Sequence, residues 1–243
     1  MTPEDLSVHP EAVAAIIDHT LLKPDAVGEE IVLLCTEALE SKFASVCLNP
    51  CWVALAADQL AGSIVRVCTV IGFPLGANTS RTKLTEAEIA LSQGATELDM
   101  VINIGRLRSG EFHLVQTEIA DIADVCHSRG ALLKIILETC LLSDEEKRTA
   151  CGLAAEANAD FVKTSTGFSK SGATVEDIVL MRSAVGPKMG VKASGGIRTL
   201  DALLQMVRAG ANRVGTSSGV SIIREIVRTT AQAYSAPIDV SAY

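Results

Sequence analysis

Three lysines stand inside apolar runs at equal intervals. They are Lys134 in Leu133-Lys134-Ile135, Lys163 in Val162-Lys163-Thr164 and Lys192 in Val191-Lys192-Ala193, each 29 residues from the next. Two aspartates have comparable settings, Asp99 in Glu97-Leu-Asp-Met-Val-Ile102 and Asp18 in Ile16-Ile-Asp-His19. A lysine buried away from water is rare unless it is paired or put to use. A structural polar core, pairing these lysines with Asp18, Asp99 and Glu138, would account for any one of them. Taken together they point to chemistry. An amine is a nucleophile only when neutral, and free lysine keeps its proton to about pH 10.4. A second ammonium about 5 Å away, at an effective dielectric of about 20, adds roughly 3 kcal/mol of repulsion, or about two orders of magnitude in acidity. Desolvation acts in the same direction. One lysine of the set could then attack a carbonyl and form an imine. Once protonated, the imine is an electron sink that stabilises a carbanion at the adjacent carbon. A carboxylate such as Asp99 moves protons directly or through water. Two lysines and one aspartate are what imine-forming carbon–carbon chemistry requires.

A phosphate seat is expected in the last quarter of the chain. Ser194-Gly195-Gly196-Ile197 follows one lysine run and precedes a helix near Thr199, and Gly215-Thr216-Ser217-Ser218-Gly219 opens another. Glycines permit close backbone approach, and helix N-termini and hydroxyls offer donors. Either loop alone would read as ordinary turn chemistry. Thr164-Ser-Thr-Gly167, after Lys163, adds hydroxyls or turn geometry to the same pocket.

These residues have to be positioned by an alternation of strands and helices. Candidate strands are Ile16–Thr20, Ala44–Leu48, Ile64–Ile71, Glu97–Ile102, Leu132–Leu137, Phe161–Thr164, Gly190–Ala193 and Arg213–Gly215. The longer ones are apolar without a period of two, as parallel strands buried on both faces are. Between them, Asn49-Pro50 reads as an N-cap with proline at N1, followed by Val53, Ala56, Ala57 and Leu60 on one face. Phe112, Val115, Ile119, Ile122 and Cys126 recur at helical spacing, with Gly130 as a stop. Ser143 to Glu146 and Thr174 to Asp177 have capping-box spacing, and Leu203, Met206 and Val207 mark a helix ending at Gly210. Eight strands in 243 residues leave about 30 residues per strand–helix unit. An open doubly wound sheet alternates in the same way. Eight units, and no G-x-G-x-x-G after the first strand, favour a single (β/α)8 TIM barrel over residues 1–243 with a short N-terminal helix. In such a barrel the lysine runs would project into one interior, and the two glycine loops would follow strands 7 and 8, where barrels commonly seat phosphate.

Composition excludes several classes. Apolar residues make up 48% of the chain, which is incompatible with disorder. Twenty-nine acidic against 21 basic residues give a net charge of −8, which repels nucleic-acid backbones. No apolar run approaches the roughly 18 residues that would span a bilayer. The first twenty residues lack a basic segment ahead of their apolar stretch, so no secretory signal is read there. The seven cysteines are scattered without a C-x-x-C pair, as in a reduced cytoplasmic protein. Cys47 and Cys51 lack a nearby histidine, so no metal site is expected.

With these stretches in view, the chain resembles the deoxyribose-phosphate aldolase family, the class I Schiff-base aldolases. The resemblance runs almost end to end. It is carried by Asp18-His-Thr-Leu21, Ile71-Gly-Phe-Pro-Leu-Gly-Ala77, Glu97-Leu-Asp-Met-Val101, Leu133-Lys-Ile-Ile-Leu-Glu-Thr139, Phe161-Val-Lys-Thr-Ser-Thr-Gly167, Val191-Lys-Ala-Ser-Gly-Gly-Ile-Arg-Thr199 and Arg213-Val-Gly-Thr-Ser-Ser218. It implies a (β/α)8 barrel, with Lys163 as the Schiff-base lysine, Lys192 as the cation that eases its proton off, and Asp99 as the proton-transfer carboxylate. The implied reaction is the reversible cleavage of 2-deoxy-D-ribose 5-phosphate to glyceraldehyde 3-phosphate and acetaldehyde, without metal or organic cofactor. Gly195, Gly196, Gly215, Ser217 and Ser218 match phosphate-binding positions, and Cys47 and Asp18 match pocket-lining ones, with Asp18 toward a substrate hydroxyl. Where some members carry a phosphate-contacting lysine this chain has Phe168, which moves that duty to backbone donors, Lys170 or Arg198. Some members end in a tyrosine that reaches the site, a role for Tyr243 here. Lys134 is expected to pair with Glu138 or Asp99. The resemblance also implies a homo-oligomer, a dimer or tetramer. Three other readings fit the same residues: a different imine-forming aldolase, a phosphosugar isomerase with Asp99 as base, and a non-catalytic phosphate-binding barrel.

Overall fold

The computed structural model describes residues 9–235. Eight parallel strands close in sequence order into a barrel: β1 (Ile17–Leu21), β2 (Ser45–Leu48), β3 (Arg66–Ile71), β4 (Glu97–Val101), β5 (Leu132–Ile136), β6 (Phe161–Lys163), β7 (Gly190–Ser194) and β8 (Arg213–Thr216), with β8 pairing back onto β1. Each candidate strand is present, with ends shifted by a residue or two. The helices around them are α1 (Pro10–Ala14), α2 (Gly28–Ser41), α3 (Val53–Gln59), α4 (Ser80–Ser92), α5 (Ile104–Arg108), α6 (Phe112–His127), α7 (Asp144–Glu156), α8 (Val175–Val185), α9 (Leu200–Ala209) and α10 (Gly219–Ser235). The expected (β/α)8 barrel with a short N-terminal helix is the architecture observed. Tyr243 lies outside the described residues.

Two apolar layers hold it together. Outward strand residues such as Val46, Leu98, Leu133, Ile135, Val162, Val191 and Val214 pack against the helices' inner faces, where Val53 and Ala56 of α3, Val115, Ile119, Ile122 and Cys126 of α6, and Leu203 and Met206 of α9 are buried. Phe112 departs from its expected place and is exposed, because the α6 face turns past it at the first residue. Gly130 ends the helix as expected: it is left-handed at φ 68°, and the Ala131 N–H donates back to the Cys126 carbonyl at 3.0 Å. The Ser143–Glu146 capping box forms at α7, and Thr174 and Thr199 cap α8 and α9 through the backbone N–H groups of Asp177 and Ala202. Asp177 does not complete a box, because its carboxylate goes to Lys147 at 2.7 Å.

Asn49 does not cap with its side chain. Its amide instead donates to the carbonyls of Leu22 and Lys23, each at 3.2 Å, and so pins the loop after β1 to the end of β2.

Two residues below Lys163, the Phe161 ring lies over Gly190 of the neighbouring strand. A side chain at Gly190 would collide with that ring, as an ideal Cβ there would sit 2.0 Å from it. The Arg213 guanidinium lies 5.5 Å from the centre of the same ring.

Candidate active site

Lys134, Lys163 and Lys192 occupy three successive strands, β5, β6 and β7, and all point inward. Lys163 and Lys192 are register partners, whereas Lys134 pairs with Phe161 and sits two residues lower. All three converge on Asp99 of β4. Lys163 Nζ and Lys192 Nζ each donate to Asp99 Oδ2 at 2.7 Å, and Lys134 Nζ donates to Oδ1 at 2.8 Å. Asp99, Lys134 and Lys192 are fully buried, and Lys163 retains 3% of its exposure.

The sequence reading missed a second tier. Glu97, two residues before Asp99 on the same inward face, lies 2.5 Å from Lys134 and 3.3 Å from Arg213 of β8. Asp18 Oδ1 accepts from Arg213 at 2.6 Å, and Asp18 Oδ2 is ion-paired with Lys192. Three carboxylates thus face four largely buried cations. Burial alone would raise the Asp99 carboxyl, but Lys134, Lys163 and Lys192 hold it well below the ordinary carboxylate range. Burial likewise opposes ionisation of Asp18, yet Lys192, Arg213 and Lys134 hold it low. Lys192 and Lys134 would be pushed down by burial, and their carboxylate neighbours raise both instead. Lysine–lysine repulsion is therefore not the whole of the electrostatics, because a carboxylate stands between the two amines.

Two expected roles change. Asp18 does not line the pocket; it is fully buried below it, committed to Lys192 and Arg213. Glu138 does not pair with Lys134. It takes a left-handed conformation at φ 56°, and its carboxylate accepts from both the backbone N–H and the hydroxyl of Thr166. Thr166 Oγ1 in turn accepts from the Phe168 N–H at 3.0 Å, so Glu138 fixes the loop after β6.

A cleft of about 250 Å³ opens above the lysines. Of the three, only Lys163 lines it, together with Thr166, Gly167, Phe168, Ser194 to Arg198 and Gly215 to Ser217. Gly195, Gly196, Gly215, Ser217 and Gly167 are thus gathered at one mouth. The backbone N–H groups of Gly167, Gly196 and Ser217 have no acceptor among the described residues. Ser218 differs: it does not line the cleft, and its N–H is spent on Thr216 Oγ1 at 2.9 Å. The same Thr216 hydroxyl donates to the Ile197 carbonyl at 2.6 Å, tying the loops after β7 and β8 together. Arg198 lines the cleft and Lys170 does not. Phe168 packs edge-on against Phe73, centroids 5.4 Å apart, and makes that side of the mouth apolar. Ser194, two residues beyond Lys192 on the same inward face, has a buried hydroxyl with no partner among the described residues. That i, i+2 spacing was the signal that could have found it.

Cys47 does not line the cleft; it is fully buried beside Asp99, packed with Leu22, Cys68 and Val70. Cys47, Cys68 and Asp99 are close enough to suggest a metal-binding group, their ligand atoms lying within 4.8 Å of one another. The set does not fit a cation. Asp99 Oδ1 already accepts from Lys134 and from the Cys68 thiol at 3.2 Å, and Lys134 Nζ stands 3.3 Å from that sulfur. Burial, the Cys47 hydrogen bond and the Asp99 carboxylate push the Cys68 thiol well up, so it keeps its proton.

Comparison with known proteins gives the family. The family profile described as DeoC/LacD family aldolase matches residues 12–229. A deoxyribose-phosphate aldolase of Caldanaerobacter subterraneus subsp. tengcongensis is 58% identical over 214 residues, covering 88% of this chain and 93% of that protein. One from Brevibacillus brevis is 58% identical over 218 residues, covering 90% and 97%. Among solved structures, the tetrameric deoxyribose phosphate aldolase of Aeropyrum pernix superposes with a TM-score of 0.84 at 37% identity, covering 92% of this chain and 95% of that one. A barrel whose cleft-lining interior lysine shares a carboxylate with its neighbour, matched by this family along most of its length, belongs to the DeoC/LacD family of aldolases.

Proposed function

We propose that this chain catalyses the reversible cleavage of 2-deoxy-D-ribose 5-phosphate to D-glyceraldehyde 3-phosphate and acetaldehyde through an imine on Lys163. The observation that carries the reading is the reach of Lys163 into the cleft while its Nζ rests on Asp99 at 2.7 Å, beside Lys192 on the same oxygen. Lys163 shares that one carboxylate oxygen with a second ammonium, Lys192, whose charge repels its own.

The neutral amine attacks C1 of the open-chain sugar, and loss of water from the carbinolamine gives a protonated imine. A base removes the proton of the C3 hydroxyl. The C2–C3 bond then breaks, its electron pair passing to the imine to form an enamine, and C3 leaves as the aldehyde of glyceraldehyde 3-phosphate. Asp99, through Lys163, Lys192 or a water, is the carboxylate placed to move these protons. Protonation of the enamine at C2 and hydrolysis of the imine release acetaldehyde and restore the lysine. The imine is the electron sink, so the reaction as written calls on no metal and no organic cofactor.

The phosphate is held by the loops after β6, β7 and β8, where Gly167, Gly195, Gly196, Gly215 and Ser217 meet with Arg198. No helix of the described residues is long and apolar enough to cross a membrane. The seven free thiols support a reducing, cytoplasmic setting, and the tetrameric Aeropyrum relative supports a homo-oligomer. Borohydride reduction in the presence of acetaldehyde is the test. Mass mapping should find the two-carbon adduct on Lys163, and aldehyde products should appear from deoxyribose 5-phosphate. An isomerase or a simple binding barrel would give no adduct.

A further inference from the structure

We propose that Lys23, in the loop after β1, is a phosphate-holding residue that sets the preference for phosphorylated over unphosphorylated sugar; this rests on the aldolase reading of the same cleft. The chain as a whole is acidic, with 29 carboxylates against 21 basic residues, yet the cleft wall contains Lys23, Lys163 and Arg198 and no Asp or Glu. Lys163 is committed below to Asp99. Lys23 and Arg198 have no hydrogen-bond or ion-pair partner for their side chains among the described residues. Two unpaired cations at the rim of an acid-free cleft form a local field for an anion.

Lys23 is also held in position. Its neighbour Leu22 is buried against Cys47, Cys68, Val70 and Phe73, and the Asn49 amide binds the carbonyls of both Leu22 and Lys23. The backbone bearing the lysine is therefore anchored on two sides while the ammonium stays free. The Phe168–Phe73 pair at the mouth supplies no charge. A phosphate at the free N–H groups of Gly167, Gly196 and Ser217 would thus take its side-chain cations from the loops after β1 and β7.

The experiment compares wild type with Lys23→Met and Lys23→Arg on two substrates, 2-deoxyribose 5-phosphate and 2-deoxyribose. One charge-assisted contact corresponds to about tenfold, so the ratio of the two kcat/KM values should fall about tenfold in Lys23→Met and largely recover in Lys23→Arg. Most of the fall should lie in KM for the phosphorylated sugar. Calorimetric titration with inorganic phosphate should show a weakening of similar size, and that reading needs no turnover. A ratio and a phosphate affinity both within twofold of wild type in Lys23→Met would overturn the proposal. So would an equal loss on both sugars without weaker phosphate binding, the mark of a merely structural lysine. Failure of the aldolase reading shows separately, as a wild type that turns over neither sugar and yields no Lys163 adduct.

Discussion

Lys163 and Lys192 are register partners on adjacent strands, and their ammonium groups meet at one oxygen of Asp99, 2.7 Å from each. The pair differs in what lies behind it. Lys192 has a second carboxylate, Asp18, and no exposure, whereas Lys163 has Asp99 alone and faces the cleft. Equal residue types in equal registers are thus given unequal tasks by their second neighbours.

Replacing Lys192 should therefore do more than remove a repulsion. Lys192→Leu leaves Asp18 and Asp99 with one cation fewer between them, and Asp99 then holds the Lys163 proton more firmly. Turnover at pH 7 should drop by about a hundredfold or more, with a steeper rise toward alkaline pH. Near-native rates with an unchanged pH profile would refute the shared-proton arrangement.

Much of this was legible beforehand, and the reason is physical. Parallel strands buried on both faces are apolar throughout, so lysines and aspartates inside them stand out, as Asp99, Lys134, Lys163 and Lys192 did. Partner identity was not legible. The stagger of the closed sheet carries Asp18 of β1 to Lys192 of β7 and Glu97 of β4 to Arg213 of β8, pairings that no spacing along the chain encodes. In the sequence Arg213 reads only as the start of a strand and Glu138 as a lysine partner, whereas the left-handed backbone at Glu138 accompanies a carboxylate bound to Thr166. Lys23 sits in a loop, with no periodicity to mark it.

Glu138 offers a test that separates backbone from side chain. Glu138→Gly relieves the left-handed conformation but drops the Thr166 contacts, while Glu138→Ala loses the contacts and keeps the strain. Urea unfolding should find the glycine variant about 1 kcal/mol more stable than the alanine one. Both should raise KM through the loosened loop, and Glu138→Gln should restore most of it, since its carbonyl can still accept from Thr166.

Gly215 is an expected phosphate residue whose bare Cα has a second purpose. A Cβ there would lie 2.4 Å from Ser194 Oγ and 3.1 Å from Lys192 Cε. The serine can rotate away, but Lys192 is gripped by two carboxylates and cannot. Gly215→Ala should cost about 1–3 kcal/mol of stability from overpacking, with a disproportionate fall in kcat as Lys192 is displaced. An unchanged kcat would mean the lysine tolerates the shift.

Acid stability follows from the carboxylates. Asp18 and Asp99 are held below their ordinary range in the folded state, so their stabilisation is complete at neutral pH. It begins to fade only as pH falls below about 4, where the unfolded carboxyls take up protons first. Asp18→Asn should be less stable at pH 7 and show a flatter decline below pH 4. Urea midpoints measured from pH 7 to 3 on both proteins would reveal parallel curves if Asp18 contributed nothing to that slope.

The interior charge network leaves little latitude for tuning heat tolerance. In many proteins a buried ion set can be exchanged for oily side chains at no loss or even a gain. Here Lys134, Glu97 and Arg213 brace the very carboxylates that Lys192 and Lys163 depend on, so such an exchange would trade turnover for robustness. Variants adapted to hotter environments would have to gain their firmness in the surrounding helical jacket, leaving the barrel's electrically committed centre as it is.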